Sequence, residues 1–68
     1  MSLVNHLAAF RKKAWLTQAQ LAGAAGVSRK TINTIENRIF VPSTVLALKV
    51  AKVLNVSVHD LFELEEDQ

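Results

Sequence analysis

The sequence predicts the all-α fold class, a compact five-helix domain. Two observations carry this: apolar residues recur at helical three-and-four spacing in successive segments, and Thr, Ser, Gly and Asn stand where those segments should start and stop. A third sets the scale. At 68 residues, with neither an internal repeat nor a low-complexity stretch, the chain is one domain over 1–68 with an acidic tail at 63–68. So short a chain buries a modest fraction of its surface, which favours self-association as a source of stability.

Leu7, Phe10, Arg11 and Ala14 place a first helix over about residues 5–14, with Asn5 as a candidate cap. Thr17 and Gln20 form a T-x-x-Q capping box for a second helix, whose inward positions are Leu21, Ala22 and Ala25. Gly26 then suits the left-handed residue that ends it. Ser28 offers an N-cap for a third helix, and Ile32 and Ile35 join Val27 in the core. Periodicity breaks from Arg38 to Val41, and Pro42 with Ser43 reads as the start of a fourth helix. Its apolar stripe is Leu46, Ala47, Val50, Ala51 and Leu54, with Leu48 also assigned to the core and Asn55 as the stop. Ser57 and Asp60 form a second capping box before Leu61 and Phe62, and Leu3-Val4 and Phe62-Glu63-Leu64 alternate enough to pair as a short two-stranded ribbon.

Charge is distributed unevenly along the chain. All eight Lys and Arg residues lie within 1–59, where Glu36 is the lone acid, and the other five acids close the sequence. A basic body with an acidic end suits a polyanionic partner held away from the tail. There is no cysteine, hence neither disulfide nor thiolate metal site, and no cofactor or small-molecule ligand is expected. No signal-peptide arrangement opens the chain and no apolar run approaches a membrane span, so the expected location is the cytoplasm. An enzyme is the least supported class. His6 and His59 stand apart, and the sequence offers no nucleophile arrangement, metal spacing or phosphate-cradling glycine loop.

The third helix carries the functional signal. With Ile32 as the inward reference, Lys30, Asn33, Thr34 and Asn37 fall at roughly 160°, 100°, 200° and 140° around the axis, on the outward face. Arg29 lies at the first turn, where a long side chain projects past the helix end. Arg29 and Lys30 can donate to guanine O6 and N7, Asn33 can bond adenine both ways, and Thr34 can meet a thymine methyl. Candidates for phosphate contact are Thr17 and Gln18 at the start of the second helix, Asn37 and Arg38 after the third, and Lys12 and Lys13 with Trp15 around the first turn.

These segments, in this order, resemble the Cro and phage-repressor type of helix-turn-helix regulator, the XRE family, from about Leu7 to Phe62. The resemblance rests on LTQAQLA from Leu16, GVSRKTI from Gly26, Ile35-Glu36-Asn37, Pro42-Ser43 and LKVAKVLNVSVHDLF from Leu48. It implies a repressor-type domain in which Gln18 clamps phosphate and supports base contacts. It also implies that Ser28, Arg29, Lys30, Asn33 and Thr34 read bases, and that Arg11 and Glu36 form a partly buried ion pair. Two positions depart from the family. Arg38 stands where Gly is usual, so either it turns left-handed under strain or the turn is remodelled. Trp15 replaces a small or charged residue, and either caps the core edge or serves DNA.

Val45, Leu46 and Val53 are more apolar than a one-sided fourth helix requires. They are candidates for a homodimer interface that sets two reading helices on one face of a palindrome, or alternatively pack beneath the carboxy-terminal tail. The expected function is sequence-specific binding of double-stranded DNA as a transcriptional repressor. The competing readings are a protein-interaction module on the same fold, or the DNA-binding part of a longer regulator.

Overall fold

Helix after helix begins where a side-chain oxygen replaces a missing backbone partner and ends where one residue turns left-handed. The computed structural model describes residues 2–65, in the order β1 (Ser2–Asn5), α1 (Leu7–Lys13), α2 (Gln18–Ala25), α3 (Arg29–Glu36), α4 (Thr44–Leu54), α5 (Val58–Leu61) and β2 (Phe62–Glu65). Of the expected acidic tail 63–68, residues 66–68 lie outside the described residues. Thr17 and Gln20 exchange both bonds of the capping box, at 3.0 and 2.9 Å, and Ser57 and Asp60 do the same before α5. Ser28 and Ser43 cap α3 and α4. The first helix starts later than Asn5, because Asn5 is extended in β1 opposite Phe62. His6 takes the cap position without a side-chain bond, and Asn5 Oδ1 accepts from the Leu7 N–H at 3.3 Å.

The carboxy ends of α1 to α4 share one solution. A backbone N–H reaches back five residues, from Leu16 to Arg11, Val27 to Ala22, Ile39 to Thr34 and Val56 to Ala51. Each bond closes over a residue with positive φ: Trp15 at 60°, Gly26 at 75°, Arg38 at 61° and Asn55 at 58°. This is the closure in which a left-handed residue lets the following N–H satisfy an orphan carbonyl. Gly and Asn adopt the conformation readily, whereas a residue with a bulky Cβ substituent incurs about 1–2 kcal/mol. Trp15 and Arg38 are therefore strained, and at Arg38 the family's turn is kept rather than remodelled.

Leu7, Leu21, Ile32, Ile35, Val50 and Leu61 form the fully buried centre, drawn from all five helices. Burying each such side chain contributes about 1.5–3 kcal/mol. Around α4 the burial differs from the sequence expectation. Leu46 is 9% exposed and belongs to the core, while Leu48 is 53% exposed and does not. On the helical period Leu48 lies roughly 160° from the buried Val50, whereas Leu46 lies roughly 40° from it. Val53 is half-buried against the core and Val45 is exposed. The terminal ribbon forms as an antiparallel pair with Leu3 opposite Leu64 and Val4 opposite Glu63. Its inner end is fastened to α3, since Asn5 Nδ2 donates to the Ile35 carbonyl at 2.7 Å.

Candidate nucleic-acid interface

α2 and α3 meet through the Gly26 turn, and α3 is fixed to the core by Ile32 and Ile35. The opposite face of α3 is left to solvent. Arg29 and Lys30 are exposed at its first turn, and Asn33 and Thr34 are half-buried further along. Lys12, Arg29, Lys30 and Arg38 meet no acid among the described residues, so these cations present their charge outward. The three hydroxyls at this helix, Ser28, Thr31 and Thr34, are partly committed already. Ser28 Oγ accepts the Thr31 N–H at 3.2 Å as the helix cap, and Thr34 Oγ1 donates to the Thr31 carbonyl at 2.9 Å. Ser28 Oγ also shares a hydrogen bond with Thr31 Oγ1 at 3.0 Å, while Thr34 keeps acceptor capacity and a methyl group for an outside ligand.

Beneath this face runs a chain of hydrogen bonds. Arg11 Nε donates to Glu36 Oε2 at 2.7 Å and a second guanidinium nitrogen to Oε1 at 3.2 Å, with side chains 11% and 7% exposed. Gln18 Nε2 donates to Glu36 Oε1 at 3.0 Å. Gln18 Oε1 in turn accepts from Asn33 Nδ2 at 3.4 Å, and Asn37 Nδ2 donates to Asn33 Oδ1 at 3.2 Å. Gln18 thus lies beside Asn33 on the polar side of α3, while Glu36 ties Gln18 to Arg11 of α1. Arg11 also donates to the Leu16 carbonyl at 2.8 Å, so one guanidinium joins α1, the turn into α2, and the end of α3.

The other candidates sit around this centre. Thr17 is exposed at the start of α2 with its oxygen in the cap, and Asn37 and Arg38 are exposed at the exit of α3. Lys12 and Lys13 are exposed on α1, where Lys13 Nζ lies 5.5 Å from the centre of the Phe10 ring. Trp15 is 91% exposed, so it does not cap the core edge.

Comparison with known proteins places this geometry in a family. Residues 7–61 match the family model described as Helix-turn-helix, of the XRE type. The chain belongs to the XRE helix-turn-helix family of transcriptional regulators. An HTH-type transcriptional regulator of Methanocaldococcus jannaschii is 44% identical over 64 residues, covering 94% of this chain and 97% of that one. Among solved structures, the Bacillus subtilis biofilm regulator SinR, in complex with DNA, matches with a TM-score of 0.74 and 35% identity over 78% of this chain and 86% of that one. The clp gene regulator ClgR from Corynebacterium glutamicum gives 0.76 and 31% identity over 79% of this chain. The present chain spans 57% of ClgR.

Two contacts made to α3 from other elements had no sequence signal. The Asn5 bond to Ile35 bridges 30 positions, and a lone Asn in a strand looks like any cap. The Gln18 bond to Glu36 was hidden because Gln18 reads first as a solvent-facing residue at a helix start. Its spacing of 18 residues from Glu36 corresponds to no local motif.

Proposed function

We propose that this protein is a sequence-specific transcriptional repressor that binds palindromic double-stranded DNA as a homodimer, with α3 in the major groove. The observation that carries the reading is the polarity of α3: Ile32 and Ile35 are fully buried on one side, while Arg29 and Lys30 are exposed on the other and meet no acid among the described residues. Ser28, Arg29, Lys30, Asn33 and Thr34 read base edges, and Gln18, Thr17, Asn37, Arg38, Lys12 and Lys13 hold phosphates. The hydrogen-bonded Gln18 and Asn33 support this, because a base-reading amide is most selective when its own orientation is set beforehand. That the similar SinR is seen in complex with DNA supports DNA as the partner. Among the described residues no helix is long and apolar enough to cross a membrane. We place the protein in the cytoplasm, acting without a cofactor or small-molecule effector.

Selecting bound fragments from random-sequence duplex DNA, followed by binding assays across a salt series, tests the reading. Enriched fragments should carry inverted half-sites about one helical turn apart. Affinity should fall steeply with salt, by nearly one log unit per tenfold for each phosphate neutralised. Arg29→Ala with Lys30→Ala should flatten the sequence preference while circular dichroism and melting stay near the parent's. A folded double variant that selects the same fragments with the same discrimination overturns the reading face.

A further inference from the structure

We propose that Trp15 is a DNA-contacting residue that lies on the sugar-phosphate backbone bordering the groove entered by α3; this rests on the DNA-binding reading above. Trp15 is 91% exposed and held at φ 60°, a conformation glycine would take without strain. The conformational cost is therefore not offset by burial of the indole within the described chain. Its place in the fold supplies a use for the ring. Trp15 lies three residues before Gln18, so their Cα atoms are at most about 11 Å apart along the chain. Gln18 itself touches Glu36 and Asn33 of α3. The major groove is about 12 Å wide, so a ring within that distance of a side chain touching the seated helix is in reach of the backbone bordering it.

The chemistry fits that surface. An indole N–H donates to a phosphate oxygen and has no lone pair to repel it, and its flat face packs on deoxyribose. Exposed Lys12 stands nearby in sequence to supply charge, while Lys13 is drawn toward the Phe10 ring. Trp15 thus adds a neutral contact next to an ionic one.

The chain has one Trp and no Tyr, so its long-wavelength emission reports on this residue alone. Titration with a random-sequence duplex of about 30 base pairs, long enough for two half-sites, should change that emission in step with binding followed by anisotropy of labelled DNA. Trp15→Gly should weaken binding about 10-fold or more, the scale of one hydrogen bond to a charged group. The same variant should melt about 4 °C higher or more, because strain is released. Its salt slope should match the parent's, whereas Lys12→Ala should lower the slope by nearly one. Trp15→Phe, which keeps the ring face and loses the donor, should fall between parent and glycine variant. Unchanged emission together with parental affinity in Trp15→Gly overturns the proposal. So does a glycine variant that sediments as a smaller species, since Trp15 would then hold a second copy. If the parent binds no duplex, the DNA reading falls and this proposal with it; binding without a Trp15 effect removes only the latter.

Discussion

Arg38 shows how one side chain can oppose the stability of the turn it occupies. It stands at φ 61° at the exit of α3, exposed, where the Ile39 N–H must reach the Thr34 carbonyl. A glycine would satisfy the same bond without the Cβ clash. Arg38→Gly should therefore stabilise the fold by roughly 1 kcal/mol, after allowing for the greater freedom of glycine in the unfolded chain. In a domain of this size that is a rise of about 4–8 °C in Tm. If the guanidinium neutralises a phosphate, the log-log salt slope of DNA binding should also fall by about 0.9. A calorimetric scan that shows no rise would mean that the turn is unstrained, and an unchanged salt slope would remove Arg38 from the phosphate contacts. The outward cations of α3 were legible from residue type and helical period alone. The conformation of Trp15 was not, because turns are recognised through Gly and Asn, and neither marks this one.

At the scale of elements, the legible features are those with local causes. Thr17, Ser28, Ser43 and Ser57 cap the helices that their chemistry predicted, and Gly26 and Asn55 end theirs, because cap bonds span three or four residues. Leu48 was misassigned to the core, and Leu46 was given both to the core stripe and to the dimer face, because α4 is apolar nearly all round and the sequence TVLALKVAKVL defines more than one stripe. Only the positions of α2 and α5 decide which stripe is covered. What holds the elements in register is Glu36, which bonds Arg11 of α1 and Gln18 of α2 from the end of α3. Glu36→Ala should strand the Arg11 guanidinium, which is 11% exposed, at a cost on the order of 3–5 kcal/mol. A domain this small has a total stability near the bottom of the usual range of about 5–15 kcal/mol, so much of the population should unfold. Chemical denaturation should show a much lower midpoint with little change in slope. A loss below about 1 kcal/mol would place the pair with exposed salt bridges and deny it a role in setting α1 against α3.

For the whole molecule, the remaining problem is the apolar surface that the fold does not cover. Val41, Val45 and Leu48 are 68%, 63% and 53% exposed, and they adjoin a cleft of about 240 Å³ lined by Leu3, Val41, Pro42, Leu48, Val58 and Phe62. Scattered apolar residues need no explanation, but a set gathered along one helix and its flanking cleft is the kind of patch that meets another protein. The homodimer proposal therefore moves from Leu46, which the core consumes, to Val45 and Leu48, with Val53 at most at the margin. Two copies joined there by a two-fold axis would carry their α3 helices as a pair, and the half-site spacing in DNA would follow from that axis. Val45→Lys with Leu48→Lys tests this without disturbing the fold, because both positions are already in solvent. Sedimentation at tens of micromolar should show the parent as a dimer and the variant as a monomer, with operator affinity reduced because each half-site must then be occupied separately. Leu46→Lys should instead unfold the domain, so that loss of assembly and loss of structure remain distinguishable by circular dichroism. A parent that sediments as a monomer both alone and with DNA, or a double variant that remains a dimer, would place the association elsewhere or remove it.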